Sequence, residues 1–295
     1  CIGCGKCLRV CPAQNAGFHE ESSNFYKAYS KNKEVLKKSS SGGIAYEIGK
    51  WMIENGGAVI AAVWNVEKQA VMHKKIMSLE ELPKMQGSKY VHSIIKDDIY
   101  SDIANTVKSQ KVLFIGTPCQ VSAVRNLTRN SSNLICIDLI CHGVPSPKIW
   151  KEYAGVLEAK NNGKIENISF KDKRNGWKNP YAYVNIQKKE VQISEYVNLF
   201  YSGCILRPVC HHCPYATVER ITDLTIGDFW GVEKVLPDFG GTDGTSLVLV
   251  HTKVGSKIVT ETEQKLEICE CTIKDCLQPN LVSPTEESEQ REWFW

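Results

Sequence analysis

Four cysteines open the chain, Cys1, Cys4, Cys7 and Cys11, with Pro12 directly after the last. Spacers this short let three thiolates converge on one cubane from a single tight loop, and the proline then turns the chain away. Zinc sites usually pair two Cys-x-x-Cys halves across a longer loop, so the run predicts a 4Fe-4S cluster and a protein that moves electrons. In two-cluster ferredoxins the fourth cysteine of each run serves the other cluster. Cys1, Cys4 and Cys7 are therefore expected on one cluster, and Cys11 on another whose remaining ligands precede residue 1. No Met opens the chain, and Arg291 to Trp295 places three aromatics in what reads as the first turn of a severed helix, so both ends read as cut.

The remaining composition narrows the class. With 295 residues and 42% hydrophobic content, the chain can bury a substantial core in one large or two ordinary domains beside the cluster loop. A net charge of +3 with interspersed signs argues against a nucleic-acid footprint. Lys31 to Lys38 reads as a solvated linker, and the longest apolar run, Gly56 to Trp64, is too short to span a bilayer. Thirteen cysteines grouped at ligand spacings speak for metal sites in a reducing cytoplasm rather than a disulfide framework.

Residues 13–38 are polar and poorly periodic, as in a linker. Ser39, Ser40, Ser41, Gly42 and Gly43 then lead into Ile44, Ile48, Trp51 and Met52 at helical spacing, which places free amides at a helix N-terminus suited to phosphate. An ordinary Ser cap would read the same way. Gly56 and Gly57 end that helix, and Ala58 to Trp64 reads as a buried strand. A helix at Ile94–Val107 is followed by a strand at Lys111–Ile115, the turn Gly116-Thr117-Pro118-Cys119 and a helix at Gln120–Leu127, Thr117 suiting the N-cap and Pro118 the first turn. Leu134–Ile140 is the next strand, ending at Cys141-His142-Gly143 before a helix at Lys148–Leu157.

Strand, turn and helix in succession predict a parallel α/β sheet, whose ligands gather at the carboxyl ends of the strands, where Cys119 and Cys141 fall. Beyond Gly163, the alternating segments Ile165–Phe170, Tyr181–Ile186 and Val191–Tyr196 predict a second antiparallel or mixed layer, and Ser246–His251 a further strand.

A second metal site is indicated by Cys210-His211-His212-Cys213. Its other half is either Cys119 with Cys141, completing four thiolates for a cluster, or a flanking histidine, completing a zinc site. His142 reads as a packing neighbour of Cys141 rather than a ligand. Cys136, Cys204, Cys269, Cys271 and Cys276 read as buried or incidental thiols.

Seven segments taken in order resemble the family formed by the beta subunits of coenzyme F-420 hydrogenases and dehydrogenases. They are Ser39–Gly43, Gly87-Ser88-Lys89-Tyr90-Val91, Gly116–Gln120, Asp138–Pro147, Asp172–Trp177, Arg207–Cys213 and Thr225–Gly231. The resemblance implies a flavoprotein oxidoreductase relaying electrons between a two-electron hydride carrier and one-electron 4Fe-4S clusters, the carrier being reduced deazaflavin coenzyme F-420 or an analogue. It implies FAD bound by Ser41, Gly42, Gly43, Gly87, Ser88, Lys89, Tyr90, Gly116 and Thr117, and a cluster held by Cys119, Cys141, Cys210 and Cys213. No Rossmann glycine fingerprint would have pointed to this cofactor, but a flavin, which takes electrons singly or in pairs, is the group that joins the two regimes.

Lys89 is the expected catalytic residue, its ammonium stabilising negative charge on the flavin or on a substrate anion, although a surface lysine would look alike. Asn175 and, more weakly, Lys178 are further candidates, and Asp228 is expected to cap a helix or orient a cofactor hydroxyl. The implied partners are a hydride-carrier substrate and a redox partner protein or subunit. The alternatives are a ferredoxin-like carrier subunit without its own substrate and a zinc-stabilised binding module.

The expected fold is α/β with α+β character: a partial ferredoxin-like cluster loop followed by a mixed parallel/antiparallel α/β flavin-binding domain. The expected divisions are a cluster module at 1–12, a linker at 13–38, the N-terminal part of the main domain at 39–110 and its C-terminal part, with the internal iron–sulfur site, at 111–290.

Overall fold

The structure is a computed structural model that describes residues 5–14, 22–235 and 243–295. In chain order the elements begin with α1 (Lys6–Val10), β1 (Asn24–Ser30), α2 (Lys33–Lys38), α3 (Ile44–Glu54), β2 (Ala58–Asn65), β3 (Ala70–Ile76), α4 (Asp97–Thr106), β4 (Val112–Gly116) and α5 (Pro118–Thr128). They continue with β5 (Leu134–Leu139), α6 (Pro147–Lys160), β6 (Ile165–Asp172), β7 (Tyr181–Ile186), β8 (Lys189–Gln192), α7 (Ser194–Tyr201), β9 (Leu224–Asp228) and α8 (Val232–Val235). The last are β10 (Ser246–Val250), α9 (Lys253–Thr262), β11 (Leu266–Cys271), α10 (Ile273–Cys276) and α11 (Arg291–Phe294).

Eight strands form one sheet in the order β11-β1-β10-β9-β5-β4-β2-β3. The central strands β2, β4, β5 and β9 are parallel. Antiparallel β3 closes one side, and β10, β1 and β11 extend the other. β4 (VLFIG) is buried throughout, as a strand covered on both faces must be.

Its alternation sorts the core. Leu113 and Ile115 join Val59, Ile135 and Ile137 under α3 and α9, while Val112 and Phe114 join Ile60, Leu134 and Cys136 under α4 and α5. Ile44, Ile48 and Met52 of α3 are at most 2% exposed, and each contributes about 1.5–3 kcal/mol by burial. A second sheet, β6-β7-β8, is antiparallel and packs around Trp150 of α6 and Tyr196 and Phe200 of α7.

Two expectations change. The stretch read as a linker holds β1, which lies between β10 and β11, and α2, whose N-cap Asn32 accepts from the amides of Glu34 and Val35. Most of its charges lie in and around α2, and the one lysine of β1, Lys27, is fully buried beside Ala28. The strand expected at Val191–Tyr196 breaks at Ile193, because Tyr196 and Phe200 bury one face at helical spacing, so the chain turns into α7.

Candidate functional site

A cavity of about 780 Å³ opens over the carboxyl ends of β4, β5 and β9, the place where parallel sheets present ligands. Two helices start at its wall. α3 is entered through Gly43, whose left-handed φ of +83° reverses the chain into the first turn. Among the described residues, the amides of Ile44 and Ala45 at that turn make no protein hydrogen bond. α5 starts at Thr117, whose own amide donates to Gln120 Oε1 at 3.1 Å. Both N-termini turn the positive ends of their backbone dipoles toward the cavity.

The serine turn is stitched in place rather than free. Ser39 Oγ accepts from Gln86 Nε2, Ser40 Oγ accepts from the Ser88 amide at 2.6 Å, and Ser41 Oγ donates to Thr245 O. Lys173 Nζ donates to the Leu36, Ser41 and Asp243 carbonyls, fastening the turn from the β6–β7 loop.

Ser41, Gly43, Gly87, Ser88, Lys89, Tyr90, Gly116, Thr117 and Asp228 all line the cavity. Gly42 does not. Its amide donates to Ser246 Oγ, and a Cβ there would stand 2.3 Å from Ala28 O, so it serves close backbone approach to β1 and β10. Asn175 is exposed and outside the cavity; from the same loop Lys173 ties the serine turn and Trp177 backs the lining residue Trp230. Lys178 is exposed and pairs with Glu233 at 2.6 Å.

Lys89 is no ordinary surface lysine. Its Nζ donates to Met85 O (2.7 Å) and Gln86 O (2.8 Å), and burial without a carboxylate partner pushes its ammonium down to about 7. Asp228 neither caps a helix nor stands alone, because its Oδ2 takes the Lys171 ammonium at 2.5 Å. His73 reaches the cavity from β3. It is 3% exposed, its Nε2–H donates to Ile115 O at 3.1 Å, and its Nδ1 has no hydrogen-bond partner among the described residues.

The sequence reading missed the aromatic wall and the segment opposite it. Tyr90 stacks on Phe200 with centroids 4.3 Å apart and shares a hydroxyl contact of 2.8 Å with Tyr201. Trp230 stacks on Trp177 at 4.9 Å. Residues 278–286, here called the strap, supply Gln278, Asn280 and Thr285 to the lining. The strap is tied by Gln278 Nε2 donating to Asp228 O and by Thr285 Oγ1 donating to His142 O at 2.6 Å. A strap of mixed polar residues carries no periodic signal, whereas Leu199-Phe200-Tyr201 at the end of an amphipathic helix could have suggested the wall.

Four thiols gather behind the cavity. Cys141 follows β5 and lines the cavity, Cys119 sits in the first turn of α5, Cys210 lies within a 3-10 turn over Pro208–His212, and Cys213 caps that turn. Burial is the main cause of the upward pKa shifts of Cys119, Cys141 and Cys213; the Cys210 sulfur adds to all three, and Cys119 adds at Cys141 and Cys213. At Gly143, a Cβ would meet Cys210 Cβ at 3.2 Å, which locates the Cys210 turn against the Cys141 loop.

Tetrahedral zinc would draw its sulfurs to about 3.8 Å from one another. Among the described residues no group of three or more His, Cys, Asp or Glu is placed to hold a single metal ion. His211 Nδ1 donates to Thr285 O and His142 Nε2 to Phe200 O, so these two rings are held by backbone.

Cys1, Cys4 and the Cys7 side chain lie outside the described residues. Cys11 ends α1, which packs against α5. Tyr215 Oη donates to Pro12 O at 3.2 Å, and burial, with Cys119, Cys213 and Cys11 adding to it, pushes that hydroxyl up to about 12. The Cys11–Pro12 end of α1 thus meets Tyr215 on the side of Cys119 and Cys213.

A mixed α/β protein with a large cavity at the carboxyl ends of its parallel strands and a cysteine in the cavity wall has the form of a ligand-binding α/β domain. The chain is a member of the family of coenzyme F420 hydrogenase/dehydrogenase beta subunits: residues 109–275 match the C terminus of that beta subunit. It is similar to one subunit of the F(420)H(2) dehydrogenase of Methanosarcina mazei, with 25% identity over 92% of this chain and 72% of that protein. It is also similar to coenzyme F420-dependent sulfite reductase of Methanocaldococcus jannaschii, with 25% identity over 89% of this chain but 41% of that longer protein. The fold resembles a chain of the F420-reducing (NiFe) hydrogenase complex from Methanosarcina barkeri, with a TM-score of 0.57 and 20% identity over 85% of this chain and 82% of that one. Among the described residues no helix is long and apolar enough to cross a membrane.

Proposed function

We propose that the chain is a flavin-dependent iron–sulfur oxidoreductase that takes hydride equivalents from a reduced deazaflavin of the F420 type, or an analogue, and passes the electrons on singly to a redox partner subunit. The observation that carries this reading is that Cys141 belongs both to the four-thiol group and to the cavity wall. A ligand in the cavity and a cluster on the thiols would be separated by little more than one side chain.

The residues fit both groups. Cys119, Cys141, Cys210 and Cys213 supply the four thiolates of a 4Fe-4S cluster. The cavity lies within the usual size range for organic ligands, and it offers FAD two helix N-termini for its pyrophosphate, aromatic faces at Tyr90 and Trp230, and an unpaired His73 Nδ1. When bound, the flavin supplies the conversion between hydride and single-electron chemistry.

The chain's own residues bind, orient and exclude water. The Ile44 and Ala45 amides receive phosphate oxygens. Lys89 holds a proton at Nζ beside negative charge, with the Met85 and Gln86 carbonyls fixing its position. The strap covers the opposite side, and Thr285 keeps the Cys141–His142 loop in register. Cys11, at the end of the helix that packs on α5, would extend the path toward the partner.

The test is anaerobic purification of the full-length protein with iron, zinc and flavin analysis. The reading expects iron and FAD, and loss of flavin absorbance before cluster absorbance when reduced coenzyme F420 is added. Single Cys→Ser changes at positions 119, 141, 210 and 213 should each remove about one cluster of iron. Retained clusters without flavin would leave a simple electron carrier, and stoichiometric zinc would leave a zinc-stabilised module.

A further inference from the structure

Two of the cysteines that the sequence left without a role face each other. Cys271 ends β11, the edge strand of the large sheet, and Cys276 ends α10; their sulfurs are 3.4 Å apart. The turn between them is pinned by Asp275 Oδ2, which accepts from the Thr272 amide (3.0 Å) and from Thr272 Oγ1 (2.8 Å). Cys271 is partly exposed, whereas Cys276 is 2% exposed and its sulfur also lies 3.0 Å from Thr272 O.

We propose that Cys271 and Cys276 form a thiol–disulfide redox site that exchanges with a soluble disulfide and tethers the root of the strap. The roles divide by position. Cys271 is reachable from the sheet edge, and the Cys276 hydrogen bond, with the Lys27 ammonium adding to it, holds its thiol below the usual range, so it is the attacking sulfur. Cys276 is enclosed and serves as the resolving thiol.

In the first step the Cys271 thiolate attacks one sulfur of the soluble disulfide, forming a mixed disulfide and expelling one thiolate. Cys276 then gives up its proton and attacks Cys271 Sγ, forming the 271–276 bond and expelling the second thiolate. Two protein thiols are oxidised, one disulfide is reduced to two thiols, and their protons leave with those products.

The position of the pair gives the bond a consequence. Leu277 follows Cys276 directly, and the next residue, Gln278, is the first strap residue at the cavity and donates to Asp228 O. A 271–276 bond fixes the strap's root to the sheet edge, so the strap opens less often when the pair is oxidised.

The test uses the full chain with its bound groups, equilibrated across ratios of oxidised to reduced dithiothreitol, acid-quenched, alkylated and digested with trypsin. Cleavage after Lys265, Lys274 and Arg291 leaves Cys271 in peptide 266–274 and Cys276 in peptide 275–291. Oxidation is expected to join these two peptides. The link should persist in Cys269→Ser and vanish in Cys271→Ser and in Cys276→Ser. Amide hydrogen exchange across 277–286 should slow by about fivefold or more on oxidation. Unlinked peptides at every ratio, or linkage through Cys269 as abundant as through Cys271, would overturn the pair. A 271–276 disulfide that leaves 277–286 exchange unchanged would overturn the tether.

Discussion

Lys171 Nζ sits 2.5 Å from Asp228 Oδ2 with the ammonium wholly enclosed and the carboxylate side chain 22% exposed, so the pair's one open side is the cavity. The same ammonium lies 4.7 Å from the Trp230 ring, which stacks on Trp177, and Trp177 Nε1 donates to Asp228 Oδ1 at 3.3 Å. Removing the carboxylate leaves an enclosed cation without its partner. Asp228→Asn is therefore expected to cost about 3–5 kcal/mol, and Lys171→Met combined with Asp228→Asn to recover part of it. Urea unfolding of the two single variants and the double variant measures this coupling.

At Gly42 the expected defect is structural. A Cβ 2.3 Å from Ala28 O and 2.8 Å from Ser246 N must push β1 and β10 apart. Gly42→Ala should lose about 1–3 kcal/mol or more of stability, seen as a lower Tm in the protein without added flavin. A normal Tm with selectively weakened flavin binding would contradict this assignment.

His73 makes stability fall in acid. It stacks on Phe114 at 5.1 Å, and burial pushes its pKa down from 6.5 to about 4. Between those values the unfolded chain binds a proton that the folded chain does not, so stability drops as pH falls below 6.5 and the loss is complete near pH 4. Its share at pH 5 is about 2 kcal/mol relative to pH 7. Chemical unfolding of wild type and His73→Gln at both pH values should show a smaller pH difference in the variant.

Lys89 should make anion binding weaken in base. With its ammonium held near 7 in the free protein, the charged form that attracts an anion is depleted as pH rises past that value. Flavin affinity is expected to fall by about tenfold in all between pH 6.5 and 9, and Lys89→Met to bind about tenfold more weakly at pH 6.5 with a flat profile. Equilibrium titration of FAD fluorescence reads both.

Much of this architecture is written locally. The buried strands β4 and β5, their following turns and the helices capped by Thr117 and Ser146 follow from hydrophobic runs and capping residues within a few positions of each other. The same local grammar places Cys119 and Cys141 at strand ends, and the cavity assembles the serine turn, Lys89 and Thr117 that the family pattern implies. What cannot be read is what depends on distant partners. Lys27 and Lys171 look solvated in the sequence because nothing nearby announces their enclosure. Gly42 looks like part of a phosphate turn because Ala28 and Ser246, which occupy its two sides, are remote along the chain. Cys271 and Cys276 are the local exception: the Thr272–Asp275 clasp that draws them together lies between them, and they look incidental because their spacing matches no ligand pattern.

The position of β1 bears on how the molecule is made. Asn24 pairs with Val250 and Phe25 with Cys271, so an early strand is bordered on both sides by strands from the far end of the chain. During synthesis β1 has no neighbours to join until β10 and β11 have left the ribosome, and such long-range closure is slow. Until then the growing chain carries an unpaired, partly apolar strand. β10 and β11 end that exposure, so truncation just before β10 should yield aggregation rather than a smaller soluble domain.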